Sequence, residues 1–225
     1  MRRILTLAGP CALLAGLAVL TGATGPGTGV ITGTVTIKRD GAPADASGLV
    51  VYVVGFEEPP PSTPAVIHQK GKRFIPALLP ITAGQSVSFP NDDPFFHNVF
   101  SASPARLFDL GQYPRGETKT KRFPKVGIVD VFCNIHPEMA ATVLVLPNRR
   151  FARVGADGAF RIEGVPAGHW TLYAYGRRAT SPARIPVDVV AGKSTQVTMT
   201  LGEARDDAGH LNKYGEKYRE PVDYR

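Results

Sequence analysis

Glycine and proline interrupt this chain so often that no long regular helix fits between them after the first two dozen residues. Twenty-four glycines and 20 prolines are spread over 225 residues, and the stretches between them are short and rich in Val, Ile, Thr and Tyr. Such stretches suit pleated, half-buried surfaces, and the Gly and Pro between them mark turns and sheet edges. The expected class is all-β, and the length allows one or two domains. Lys and Arg number 26 against 19 acids. The basic residues are scattered rather than gathered into a stripe, so nucleic acid is not an expected partner.

The N-terminus, "MRRILTLAGPCALLAGLAVLTGATG", places two arginines before an apolar run from Ile4 to Leu20, followed by small residues. This is the pattern of a secretory signal over residues 1–23, implying export to the periplasm or beyond and no membrane span after cleavage. An uncleaved anchor is the alternative. Cleavage removes Cys11 and leaves Cys133 without a partner. Exported proteins oxidise their cysteines in pairs, so a lone thiol is either buried and inert or bound to something.

The segment "GIVDVFC" alternates so that Val129, Val131 and Cys133 share one strand face and Asp130 points to the other. Cys133 therefore faces the core at the strand's end. There the loop "CNIHPEM" adds His136 and Met139, with Pro137 stiffening the path, and thiolate, imidazole and thioether form a soft ligand set. A second imidazole must come from elsewhere. His97, in "FPNDDPFFHNVF", shares a face with Val99 and points inward. His68, His169 and His210 lie in contexts that suggest no ligand role.

"FFHNVF" followed by "CNIHPEM" resembles the type 1 copper site of the cupredoxins, of plastocyanin and amicyanin type, over about Ala65 to Pro147. The resemblance implies one copper ion held by His97, Cys133, His136 and a weak axial Met139. It also implies that Asn98 ties the two ligand loops together. It further implies one-electron transfer with a redox partner docking at an apolar rim formed by Phe95, Phe96, Ile135, Pro137 and Ala140 around the exposed His136 edge. Four protein ligands leave no open position, which argues against an enzyme.

From Arg150, "FARVGADGAFRIEGVPAGHWTLYAYG" reads as three strands joined by an Asp-Gly and a Pro-Ala-Gly turn. Asp157, Gly158, Phe160, Pro166 and Gly168 resemble the turn motifs of the carboxypeptidase regulatory-like domain, a transthyretin-like sandwich; Gly155 and Trp170 depart from them. Four or five strands make a thin core. The family's usual opening stands at the other end of the chain, as Gly33-Thr34-Val35, Gly41-Ala42-Pro43 and the run from Leu49 to Val54. The expected architecture is thus a cupredoxin-like Greek-key β-sandwich, residues 62–147, inserted in or packed against a transthyretin-like sandwich of residues 28–56 and 148–201. Two units in tandem, or one fused sheet, is the alternative. "LVVYVV" and "TVLVLP" are apolar on both faces, as expected if the two units pack together. Residues 57–64, "EEPPPSTP", form a stiff crossover, and the charged tail, residues 202–225, is expected to be flexible.

Three functions are compatible with these features: an exported electron carrier, a periplasmic copper-binding or storage protein without a redox partner, and a non-metal β-sandwich binding module.

Overall fold

A computed structural model describes residues 27–202 and 209–218; the signal sequence expected at residues 1–23 lies outside them. All regular structure among the described residues is β, and no helix there is long and apolar enough to cross a membrane. The chain starts with β1 (Thr28–Thr36), the two-residue pair β2 (Lys38–Arg39) and β3 (Ala42–Pro43), and β4 (Val50–Val54). It continues through β5 (Ala65–Val66), β6 (His68–Gln69), β7 (Phe74–Ile75), β8 (Leu78–Thr82), β9 (Ser86–Pro90) and β10 (His97–Ser101). Next come β11 (Phe108–Tyr113), β12 (Thr118–Arg122), β13 (Gly127–Phe132) and β14 (Ala140–Leu146). The last are β15 (Phe151–Arg153), β16 (Ala159–Pro166), β17 (Gly168–Tyr175), β18 (Ala183–Val189) and β19 (Ser194–Thr200).

The first strands pair with the last. β1 lies between β16, antiparallel, and β19, parallel, while β4 lies between β15 and β17. The inward residues of these two sheets, among them Ile31, Val51, Val53, Phe160, Leu172 and Met199, close one core. The Asp157-Gly158 turn expected between β15 and β16 is present. Gly158 has φ +79°, and a Cβ there would stand 2.6 Å from the Val35 carbonyl oxygen, so only glycine lets the turn lie against β1.

The intervening strands build a second core. A five-stranded sheet, β11-β10-β13-β14-β8, and a three-stranded one, β12-β9-β5, enclose Val87, Phe89, Val99, Phe123, Val129, Val131 and Val143. β14 is buried along almost its whole length, because its two faces serve different partners. Ala141, Val143 and Val145 enter this second core, whereas Leu144 and Leu146 meet Val50 and Leu78 in a separate layer edged by Tyr52, Phe151 and Tyr175. The doubly apolar character of β4 and β14 has this layer as its cause.

The two chain crossovers are fastened to each other. The Asn148 amide, 1% exposed, donates to the carbonyls of Val53 (3.0 Å) and Phe56 (2.9 Å). Glu58 accepts from the Arg150 side chain at 2.7 and 3.0 Å and from the Arg149 N–H at 2.8 Å. Asn148→Ala leaves two backbone acceptors without these donors and is expected to cost about 1–3 kcal/mol, read as a lower urea midpoint at unchanged m-value.

Burial pushes the Glu58 carboxyl up, but the Arg150 guanidinium and the Arg149 N–H more than offset this and hold it below its ordinary value of 4.5. A depressed folded value means the stabilisation is complete above 4.5 and is lost as the pH falls through and below it. Urea midpoints measured from pH 7 to pH 3 should therefore drop less steeply in Glu58→Gln than in the parent. Parallel profiles would show that the clamp contributes nothing.

Candidate metal centre

The turn between β9 and β10 is organised by a buried amide and a buried carboxylate. Asn91 donates to the carbonyls of Phe95 (2.9 Å) and Tyr113 (3.1 Å) and accepts from the Asp93 N–H (3.0 Å). This fixes the path into β10, whose first residue is His97. Asp93, 5% exposed, accepts from the N–H groups of Gly71 (2.7 Å) and Lys72 (2.9 Å) and meets His97 Nε2 at 2.9 Å. Burial raises the Asp93 carboxyl, yet the Lys72 N–H and His97 outweigh it and leave the group below the ordinary carboxylate range. An ionised carboxylate only accepts hydrogen bonds, so His97 Nε2 is the donor in this pair, and in the neutral ring that leaves the Nδ1 lone pair for another partner.

That lone pair faces two groups from the loop after β13. His97 Nδ1 lies 3.1 Å from His136 Nδ1 and 4.0 Å from Cys133 Sγ, and His136 Nδ1 lies 3.7 Å from the same sulfur. The three ligand atoms all fall within 4.8 Å of one another. Cys133 has no disulfide and is fully buried, as is His97. Burial, then the neighbouring His97 and the charge of Lys72, lowers the His136 imidazole below its ordinary value, which favours the neutral ring a metal needs. The loop is closed on itself, with the Met139 N–H donating to the His136 carbonyl (3.1 Å) and the Cys133 N–H to the Met139 carbonyl (3.2 Å). Met139 is fully buried in the same core as Cys133.

The alternation read from "GIVDVFC" is present: Val129, Val131 and Cys133 are fully buried, while Asp130 on the other face accepts from the Thr142 hydroxyl at 2.7 Å. The rim divides. Phe96 (54%) and Ile135 (38%) are exposed, as is Pro137, whereas Ala140 is half-buried at the start of β14. Phe95 does not stand on the rim alone. Its ring packs against both imidazoles, 5.2 Å from that of His97 and 5.4 Å from that of His136, with Lys72 Nζ 5.5 Å from its centroid.

Two expectations are corrected. The Asn98 side chain does not reach the 133–139 loop. It donates to Asp109 Oδ1 at 2.7 Å across a register shift between β10 and β11, and its own Oδ1 has no partner among the described residues. The tail is not free throughout, because residues 209–218 lie against the Cys133 side of the loop, with the His210 ring stacked on Phe132 (centroids 4.1 Å apart) and the Tyr218 hydroxyl donating to the Cys133 carbonyl. Charged composition suggested solvation; a few aromatic and hydrogen-bonding residues within it decide otherwise. Asp93 was also missed, although an acid four residues before a candidate ligand histidine was a visible signal.

No protein-family model and no curated protein matches the chain. Among solved structures it is similar to a purple cupredoxin from Nitrosopumilus maritimus, at 24% identity over 36% of this chain and 99% of that one, with a TM-score of 0.34. It is also similar to a Cu(I) form of an amicyanin variant, at 16% identity over 43% and 98% of the two chains, TM-score 0.36. A third is the copper-containing nitrite reductase of Thermus scotoductus, at 24% identity over 42% of this chain and 25% of that one, TM-score 0.36.

Proposed function

We propose that this chain is an exported type 1 copper protein that carries single electrons between redox partners, with His97, Cys133, His136 and Met139 as the ligands. The observation that carries this reading is the meeting of two imidazole nitrogens and one buried thiol within 4.8 Å, reinforced by the Asp93 carboxylate that leaves His97 Nδ1 available. Two imidazoles and a thiolate suit copper, and a buried thioether in the same loop suits it further. Bound there, copper supplies a one-electron couple between Cu(I) and Cu(II).

The chain's own residues do the rest. Asp93 holds His97 in place and in one tautomer. The closed 133–139 loop and the surrounding sandwich limit how far the donors move, and little movement means little reorganisation on electron transfer. Phe95 covers both imidazoles and restricts water, while Phe96, Ile135 and Pro137 offer an apolar surface beside His136 for a partner protein. With Met139 as the fourth donor, the positions are filled by protein side chains, which supports a carrier rather than an enzyme.

Residues 62–147 are read as a cupredoxin domain inserted into a discontinuous sandwich of residues 28–56 and 148–201. The pairing of β1 and β4 with strands beyond residue 150, and the Asn148 and Glu58 clamp, support this. The turns at Asp157-Gly158 and Pro166-Ala167-Gly168 support reading that sandwich as carboxypeptidase regulatory-like.

The test is a visible absorption spectrum of purified protein titrated with Cu(II), followed by reductive titration. An intense blue band that bleaches reversibly on one-electron reduction is expected. A protein that binds Cu(II) without thiolate charge transfer, or not at all, overturns the reading.

A further inference from the structure

We infer that the C-terminal segment 209–218 is a working part of the metal centre, with Lys213 and Tyr218 as positioning residues that fix the Cys133 loop against the β10–β11 side. The inference rests on the copper reading for its consequence, not for its geometry.

The segment has a structure of its own. Asn212 Oδ1 accepts from the N–H groups of Tyr214 (2.9 Å) and Glu216 (3.0 Å), the Asn212 N–H donates to the Glu216 carbonyl (2.8 Å), and Gly215 takes φ 80° to complete the turn. This turn presents Lys213 on one side and carries the chain on to Tyr218. The Lys213 N–H donates to Asn134 Oδ1 at 2.9 Å, and its Nζ donates to Asp109 Oδ2 at 2.7 Å. Asp109 Oδ1 already accepts from Asn98 at 2.7 Å and from the Gly111 N–H at 2.8 Å.

A continuous relay thus runs from Asn98, beside His97, through Asp109 and Lys213 to Asn134, beside Cys133. It makes the tie between the two ligand segments that Asn98 alone does not make. Tyr218 completes the hold. Its hydroxyl donates to the Cys133 carbonyl and stands 3.3 Å from His210 Nδ1, while His210 stacks on Phe132, the residue before the thiol. The Cys133 N–H is bonded to Met139, so Tyr218 fixes the remaining polar backbone group of the ligand residue. The segment leaves Ile135 and Pro137 exposed beside His136.

The Lys213 ammonium offsets the Asp109 carboxylate, and the Tyr218 O–H donates to the Cys133 carbonyl; without these two donors the carboxylate and the carbonyl are left uncompensated, which favours the more positive Cu(II) state. Removing them should lower the reduction potential and loosen the ligand loop.

The test uses the full chain with Lys213→Met and Tyr218→Phe combined, and Lys213→Arg as the conservative variant. In the metal-free protein, hydrogen exchange at Asn134, Ile135 and Met139 should become faster in the double variant and stay near the parent rate in Lys213→Arg. In the Cu(II)-loaded protein, release of copper to a chelator should speed up about 10- to 100-fold, the range for loss of an outer-shell partner, and the potential should fall. Unchanged exchange overturns the docking of the segment. Faster exchange with unchanged copper release and potential overturns its role at the centre. A parent protein that takes up no Cu(II) refutes the copper reading instead, while the exchange data still judge the strap.

Discussion

Replacing Cys133 with serine is expected to abolish the blue band and to weaken copper binding by more than the roughly 10- to 100-fold that loss of an outer-shell partner costs. The thiol is fully buried with both candidate imidazole nitrogens within 4.0 Å of its sulfur. A hydroxyl is a hard, protonated donor at neutral pH and does not replace a thiolate toward a soft ion. The metal-free protein should be affected far less, because the Cys133 N–H donates to the Met139 carbonyl, its carbonyl accepts from the Tyr218 hydroxyl, and the loop hydrogen bond to the sulfur, from the Ile135 N–H at 3.4 Å, goes to a weak acceptor. Cys133→Ala serves as the control for the buried hydroxyl. Spectra and copper titrations beside urea midpoints separate the two effects, and retention of the band in Cys133→Ser would remove this residue from the centre.

Asp93→Asn is expected to produce the second-largest loss, about 10- to 100-fold in copper affinity, although Asp93 is not itself a proposed ligand. The carboxylate accepts three N–H donors at once, from Gly71, Lys72 and His97. An amide offers one oxygen and turns an NH₂ group toward donors that need an acceptor. With the amide oxygen in the Oδ2 position Gly71 loses its acceptor, and with the amide turned round Lys72 and His97 both lose theirs, in a site that is 5% exposed. Lys72 there adopts φ 54°, a backbone conformation unfavourable for a residue with a side chain and held by its surroundings. Isothermal titration with Cu(II), paired with exchange rates at Gly71 and Lys72, reads both consequences; unchanged affinity would show that Asp93 only shapes the turn.

The strand alternation around Cys133, the inward face of His97, the Asp-Gly turn at Gly158 and the doubly apolar runs in β4 and β14 were legible in the sequence, because each follows from periodicity of two or from local turn chemistry. Asn98 shows the limit of that method. Its neighbourhood to His97 is sequential, but its hydrogen-bond partner is set by a register shift with β11 that no local pattern announces. The tail shows it again, since a stretch of charged residues reads as solvated unless one knows that Phe132, Asn134 and Asp109 are assembled to receive it.

By itself, the sequence determined the β class, the strand face that buries Cys133 and the two segments that carry the candidate ligands, since chemistry and period are properties of residues close along the chain. Tertiary structure alone decided which carboxylate orients His97, which backbone groups Asn148 and Glu58 bind, and where residues 209–218 rest. Those are pairings between groups far apart in the chain, and only the packing of two cores brings them within hydrogen-bonding reach.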